Sequence, residues 1–433
     1  MKARAWAEAE AGSRCADGCG IASAVSDPPQ PFKTLAGNQL LGVAGLAVAV
    51  RVAYLVVRGV RPLQWGDEYV YDSLAQNLLR HGCFCSGPGQ PTAWRAPLYV
   101  DLLAGTYAVF GHVSWPMLAL QAFSGGVAAF FLMRIGSRLS RSPAVSWLAG
   151  LMFALHPIIV FATGLLYSES LYLAALLALA YAWLRLADWP ANWPQLAIGT
   201  GFLLGVMNLM KPNLLFFPLW LLLWGVVVHR EIRRAFVMST VVGVTMVAVL
   251  LPWTLRNYHV AAGFVPVSLS NSVAFYEGNN PLAHGGGIDE TKAVPPLPEL
   301  TERERAAMYW KWGTEWIRAH PADFLRLVPL KILHFFAPLE TSERGHVTTP
   351  LDFAVNAVAL VYYAIALLGL WRVRADWRIW LLPLMLIAYP LLLSVVFFGG
   401  TRYGLVAQPF IMLLAAEGVC TMRPLISTGV APR

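Results

Sequence analysis

Long apolar runs recur along this chain, each closed by charged or turn-forming residues. Ten read as membrane-spanning helices, at roughly 35–57, 114–136, 143–161, 164–187, 195–210, 212–228, 235–253, 351–371, 378–398 and 404–420. Backbone in lipid is satisfied only in helices or closed barrels, and these runs are too long for barrel strands. The pattern predicts an all-α polytopic membrane protein with about 10 transmembrane helices. Segment 95–111 is apolar enough to compete, but the basic clusters decide against it. Arg134, Arg138 and Arg141 follow the second run, His229, Arg230, Arg233 and Arg234 the sixth, and Arg372, Arg374 and Arg378 the eighth. All three fall on the cytoplasmic side only if 95–111 lies on the outer face as a juxtamembrane helix, with Asp101 near the interface. The same logic keeps 324–339 out of the bilayer core.

This topology makes both ends cytoplasmic and leaves two larger outer loops, 58–113 and 254–350. Residues 1–34, rich in Ala, Gly, Ser and charge, read as a disordered cytoplasmic tail. No apolar stretch precedes residue 38, so the first span serves as the signal anchor. Residues 421–433 form the second cytoplasmic tail. An amphipathic segment is expected near 302–320.

Charge refines the picture. Charged residues are 13% of the chain, and the net charge of +8 reflects the basic cytoplasmic loops rather than nucleic-acid binding. Against that scarcity, Gln64-Trp65-Gly66-Asp67-Glu68-Tyr69-Val70-Tyr71-Asp72 places three carboxylates in six positions of the first outer loop. Carboxylates just above a bilayer suit proton abstraction or cation binding. Asp67 equally suits the N-cap of a helix from about 68 to 80 that Gly82 would end, with Glu68 in its first turn. Arg51, Glu169, Asp352 and Glu417 all lie toward span ends, which argues for chemistry at the outer interface rather than transport through the middle.

The outer basic candidates are Arg95, Lys211, Arg256, Lys331 and Arg402. Several cations around one pocket suit a phosphate, although each alone suits an interfacial anchor. Lys211 and Arg402 stand out because each sits in a very short turn, with the side chain expected to reach solvent or headgroup. Glu169 starts a helix on the outer side, where compensation of the helix dipole is the plain alternative. Asn257, Asn279 and Asn280 suit turns, and His156 before Pro157 a satisfied interfacial histidine. No His/Cys/Asp cluster has zinc spacing. Cys15 and Cys19 lie in the polar tail, and Cys420 suits packing. Cys83 and Cys85 suit a bond to an outside thiol better than one to each other.

These motifs, in this order, resemble the GT-C glycosyltransferases. The likeness is to the glycosyltransferase-39-like group with the protein O-mannosyltransferases and the lipid A aminoarabinose transferase. It is carried by Asp67-Glu68 after the first span, Arg95-Ala96-Pro97-Leu98-Tyr99, His156-Pro157 with Ser168-Glu169, Pro252-Trp253-Thr254-Leu255-Arg256-Asn257-Tyr258, Glu277-Gly278-Asn279-Asn280-Pro281, and Arg402-Tyr403 with Pro409. It runs from about 38 to 420 and makes 35–420 one GT-C-like catalytic domain. The resemblance implies a bacterial inner-membrane enzyme with its site facing the periplasm. It implies transfer of a sugar from a polyprenyl-phosphate donor to a lipid, glycan or protein acceptor. Asp67 matches the family's catalytic base and Glu68 the second acid of that pair. Lys211, Arg402, Arg256 and Lys331 would bind the donor phosphate, with Tyr71, Arg95, Glu169 and Tyr403 lining the substrate pocket. No cofactor is called for, and a divalent metal is left open. The rival is a polyprenyl-lipid flippase or other transporter, which needs polar groups along a path through the membrane.

Overall fold

A computed structural model of the chain describes residues 35–59, 61–63, 66–288, 294–337 and 350–427. The expected tail 1–34, the last residues of the tail 421–433, and Gln64-Trp65 of the acidic motif lie outside the described residues. The described residues are helical apart from one short hairpin, in which β1 (Cys85–Gly87) pairs antiparallel with β2 (Gln90–Pro91).

Helices lie at all ten expected positions: α1 (Gly37–Arg58), α4 (Trp115–Leu139), α5 (Pro143–Leu155) with α6 (Pro157–Thr163), α7 (Glu169–Ala187), α8 (Trp193–Met210), α9 (Phe217–His229), α10 (Ile232–Val260), α14 (Pro350–Val373), α15 (Trp377–Val396) and α17 (Gln408–Ser427). By length and apolarity alone, five helical runs among the described residues can cross a membrane, or six if the bent pair α5–α6 is one span. One of the five, Ala357–Val396, overlaps both expected spans 351–371 and 378–398. The chain is a multi-pass membrane protein. The remaining helices are α2 (Gly66–His81), α3 (Leu98–Phe110), α11 (Asn271–Glu277), α12 (Glu302–Ala319), α13 (Pro321–Phe336) and α16 (Thr401–Gly404). With 13 residues, α3 is too short for a hydrocarbon core of about 30 Å, and it packs on α2. Helix α12 carries the expected amphipathic segment and opens with a capping box between Thr301 and Glu304.

Local chemistry explains the breaks. His156-Pro157 interrupts the third span because proline has no N–H to donate and pushes the preceding residue into extended backbone. The two pieces meet at 52°. The buried Arg51 of α1 serves the carbonyls this frees, donating to Ala154 O at 3.3 Å and Phe153 O at 3.4 Å. A Cβ on Gly125 would overlap the Arg51 side chain, so glycine is what lets the guanidinium cross α4. Gly201 and Gly205, spaced by one turn on α8, bring its backbone against Val242 and Val249 of α10. This is the small-residue contact by which helices associate where the hydrophobic effect gives no drive.

The helix ends sort into two sets. Arg138 of α4 pairs with Asp188 at 2.5 Å, beyond the C-terminus of α7, and Arg234 of α10 lies over Trp189. Arg372 of α14 pairs with Glu417 of α17. Each basic cluster thus sits at the end of the helices opposite Glu169 and Arg402, about 28 Å away along the 19-residue α7. Cys83 and Cys85 are bonded to each other, against expectation. The turn out of α2 sets their Cα atoms 5.3 Å apart, inside the range a bridge needs.

Single cysteines at exposed positions test the sidedness. Arg141→Cys and Arg374→Cys should react with an impermeant maleimide from one face of the membrane and Ser86→Cys from the other. Labelling of all three from one face would refute the arrangement.

Candidate active site

Four chain segments converge where α2 begins. The first turn of α2 supplies Asp67. The loop before α3 supplies Arg95, and it is clamped: Glu302 of α12 accepts from Thr92 Oγ1 at 2.6 Å and Ala93 N at 2.8 Å, while Leu269 N and Ser270 N donate to Ala93 O and Trp94 O. Helix α7 begins with Glu169. Lys211 ends α8, in a turn held by Asn208, whose Oδ1 accepts from Leu214 N. Arg402 lies in the short α16, anchored by Thr401 Oγ1 donating to Ala337 O and Gly399 N donating to Gly285 O.

The side chains meet in one ion-pair network. Arg95 Nη2 donates to Asp67 Oδ1 at 2.8 Å, and Arg402 Nη1 to Asp67 Oδ2 at 2.6 Å. The same Arg402 donates through Nε to Glu169 Oε1 at 2.9 Å, and its Nη2 lies 2.7 Å from that oxygen. Lys211 Nζ reaches Glu169 Oε1 at 3.2 Å. The Arg402 guanidinium lies 4.1 Å from the centroid of the Tyr167 ring, and Lys211 Nζ 5.4 Å from that of Tyr403, geometry in which a ring face attracts a cation. Glu169 is buried, and its Oε2 has no hydrogen-bond partner among the described residues.

Burial alone would raise the pKa of Asp67. The charges of Arg402, then Arg95 and Lys211, outweigh it and hold the carboxyl well below the usual carboxylate range. Tyr71 beside it is pushed well up, by burial first and then by the Asp67 charge. At neutral pH the cluster is therefore three cations around two carboxylates, an arrangement with a surplus positive charge.

The structure brings together Asp67, Arg95, Glu169, Lys211, Arg402, Tyr71 and Tyr403 and leaves three expected members elsewhere. Glu68 points away from Asp67. Arg61 forks onto it with contacts of 2.9–3.1 Å, and its Oε1 accepts from Leu166 N at 2.9 Å. Successive helical residues diverge by about 100°, so neighbours on α2 cannot face one pocket. Arg256 donates to Thr92 O at 2.5 Å and Phe84 O at 2.9 Å and stacks on Trp253, tying the hairpin loop to α10. Lys331 is fully buried against Asn279 Oδ1 and Val395 O, and burial pushes its ammonium below the ordinary lysine value. Asp72, the third acid of the motif, accepts from Tyr107 Oη at 2.7 Å and lies 2.7 Å from His112 Nε2. Nor does Asp67 cap α2: both its oxygens are taken by guanidinium groups. Tyr167, absent from the expected set, stacks on Arg402. Its place two residues before Glu169 is the signal that would have found it.

A cavity of about 230 Å³ adjoins the cluster at Tyr403 and Pro212 and runs between α7, the 212–216 turn, α11 and α15. Its lining is mainly apolar, yet Tyr172 Oη and Ser394 Oγ are buried there without partners. Among the described residues no group of three or more His, Cys, Asp or Glu is placed to hold a metal ion.

No family model matches the chain, and no curated protein matches it by sequence. Solved structures do match in fold. The archaeal oligosaccharyltransferase AglB from Archaeoglobus fulgidus, in complex with an inhibitory peptide and a dolichol-phosphate, superposes with a TM-score of 0.55 at 13% identity over 91% of this chain and 52% of that one. The apo form gives 0.57 at 13% identity, over 92% and 53%. This chain thus spans about half the length of the oligosaccharyltransferase it matches. ArnT from Cupriavidus metallidurans bound to undecaprenyl phosphate is covered to 82% by 92% of this chain at 15% identity, but its TM-score of 0.42 is too loose to carry an argument. The fold of this chain is thus shared with part of the archaeal oligosaccharyltransferase AglB.

Two stability measurements test the network. Arg402→Ala should lower unfolding stability by up to about 3 kcal/mol, because buried Glu169 keeps only Lys211. A change within error would mean the pairs form only transiently. For Asp67 the folded pKa lies below the unfolded one, so its contribution is full above the unfolded value of about 3.9 and fades as pH falls further. The melting difference between wild type and Asp67→Asn should therefore stay constant from about pH 5 upward and shrink only below about pH 4.

Proposed function

We propose that this chain is a membrane glycosyltransferase of about ten spans that moves a sugar from a polyprenyl-phosphate donor to a lipid, glycan or protein acceptor. The reaction takes place at the outer face of a bacterial inner membrane, with the basic clusters and both termini cytoplasmic. One observation carries the reading. A carboxylate and a phosphate-sized set of cations share Arg402 at the helix ends away from the basic clusters. The fold supports it, since an AglB structure of that fold was solved with a lipid phosphate, dolichol-phosphate.

In this reaction the acceptor hydroxyl or amine attacks the anomeric carbon as Asp67 takes its proton. The bond from that carbon to the phosphate oxygen breaks, and the electron pair leaves with the polyprenyl phosphate. Lys211 and Arg402 stabilise the charge that develops on it. The apolar cavity beside Tyr403 takes the lipid chain, and the hydroxyls of Tyr172 and Ser394 offer hydrogen bonds to the polar part of the donor. Both Asp67 oxygens are engaged in the ion-pair network, which makes it a weak base at rest. A donor phosphate that draws Arg402 toward itself frees Asp67 Oδ2 and raises its basicity.

Asp67→Asn keeps shape and hydrogen bonding but removes basicity. Sugar transfer from a polyprenyl-phosphate donor, at matched protein level, should fall on the order of 10²–10⁴-fold with donor binding retained. Near-normal turnover would sink the assignment. Glu68→Gln, at a residue turned away from Asp67 toward Arg61 and Leu166, should retain far more activity than Asp67→Asn.

A further inference from the structure

A second cavity, of about 300 Å³, lies on the other side of the α2 N-terminus, between the C-terminal end of α1 and the start of α4. Its walls are apolar. Val52 and Val56 of α1 are exposed at 45% and 75% on the lipid-facing side of a span, so the cavity continues into the hydrocarbon level. Its polar end holds Arg58, Arg61 and Glu68, with Trp115 beside them. Arg61 is occupied by Glu68. Arg58 is half-buried and makes no hydrogen bond or ion pair with any described residue. It is a guanidinium at the headgroup end of a lipid-facing groove, where the nearby carboxylate, Glu68, is already forked by Arg61.

We propose that this cavity is a second lipid site, which takes a membrane lipid with a phosphate-monoester headgroup. Arg58 offers its free fork to the phosphate, Arg61 adds a second cation, and the chain lies along Val52 and Val56. The charges fit: two arginines against one carboxylate leave the pocket cationic, as a phosphate requires. The polarity fits as well, with one wet end, an indole at the interface and apolar walls below it. A snorkelling arginine on a bare helix would meet any headgroup. Here a cavity limits what reaches it. The site is distinct from the Asp67 cluster, yet Glu68 joins the two: it holds Arg61 on one side and Leu166 N on the other, next to the Tyr167 that stacks on Arg402.

The test uses the full chain purified in detergent with phosphatidylcholine. The probe is a short-chain phosphatidic acid with a diazirine in its acyl chain, beside a matched phosphatidylcholine probe. After photolysis the label is mapped by peptide mass. The expected result is labelling of peptides covering 52–59 and 114–120 by the phosphatidic acid probe, well above the phosphatidylcholine probe. Arg58→Gln should weaken it about tenfold, as loss of a charge-assisted hydrogen bond does. Ala119→Phe, which fills the cavity from an exposed position, should weaken it too and decides the matter if Arg58→Gln fails to fold. Equal labelling by both probes, or unchanged labelling in the variants, would overturn the site. So would abolition by excess inorganic phosphate, since the ligand would then be a free anion. The readout involves no sugar transfer, so it stands or falls apart from the proposed reaction.

Discussion

The packing where α2, α7 and α16 meet depends on one guanidinium shared between two carboxylates. Arg402 binds Asp67 across 335 positions of sequence and Glu169 across 233. Three elements that no local force relates, α2, α7 and α16, are thereby held in register. Burying charge is costly unless it is paired and hydrogen-bonded. Here half-buried Asp67 and buried Glu169 each have two cationic donors, and Arg402 also lies on the Tyr167 ring. The constraint works in both directions. The bundle must present α7 and α16 at one level, and the broken span α5–α6 must end there too, since Leu166 and Tyr167 follow it directly.

What the sequence made legible follows from how local each signal is. Apolar runs mark helices, and the structure places a helix at each of the ten. Lys211 and Arg402 were legible because a tight turn leaves a side chain few directions. Asp67 was legible as an acid where charge is rare. Which neighbour shares its pocket was not, because that depends on the rotation of α2 about its axis and on residues far away in sequence. Glu68 and Asp72 turn to Arg61 and to Tyr107 with His112 for that reason. For Glu169 the resemblance gave a place in the substrate pocket, with dipole compensation as the plain alternative, and only the fold shows it as the second anchor of Arg402. Arg256 lies near the end of α10 and Lys331 within α13, and backbone carbonyls with Asn279 take their donors. A positive charge on an outer loop is as often a clamp for backbone as a ligand for phosphate.

The resting charge balance bears on the proposed reaction. A free carboxylate beside an activated sugar phosphate would deprotonate water as readily as an acceptor. In this cluster Asp67 is held by two arginines, and its low pKa keeps it ionised but weakly basic. In the proposed reaction the donor phosphate competes for the same Arg402. Donor arrival and release of the base are then a single exchange of partners for one side chain, and they leave the acid exposed only while the leaving group is in place. Lys211 remains on Glu169 through that exchange, so the buried acid is not stranded when Arg402 turns. A lysine in place of Arg402 would be a poor substitute, because its point charge lacks the planar fork that reaches Asp67 and Glu169 together.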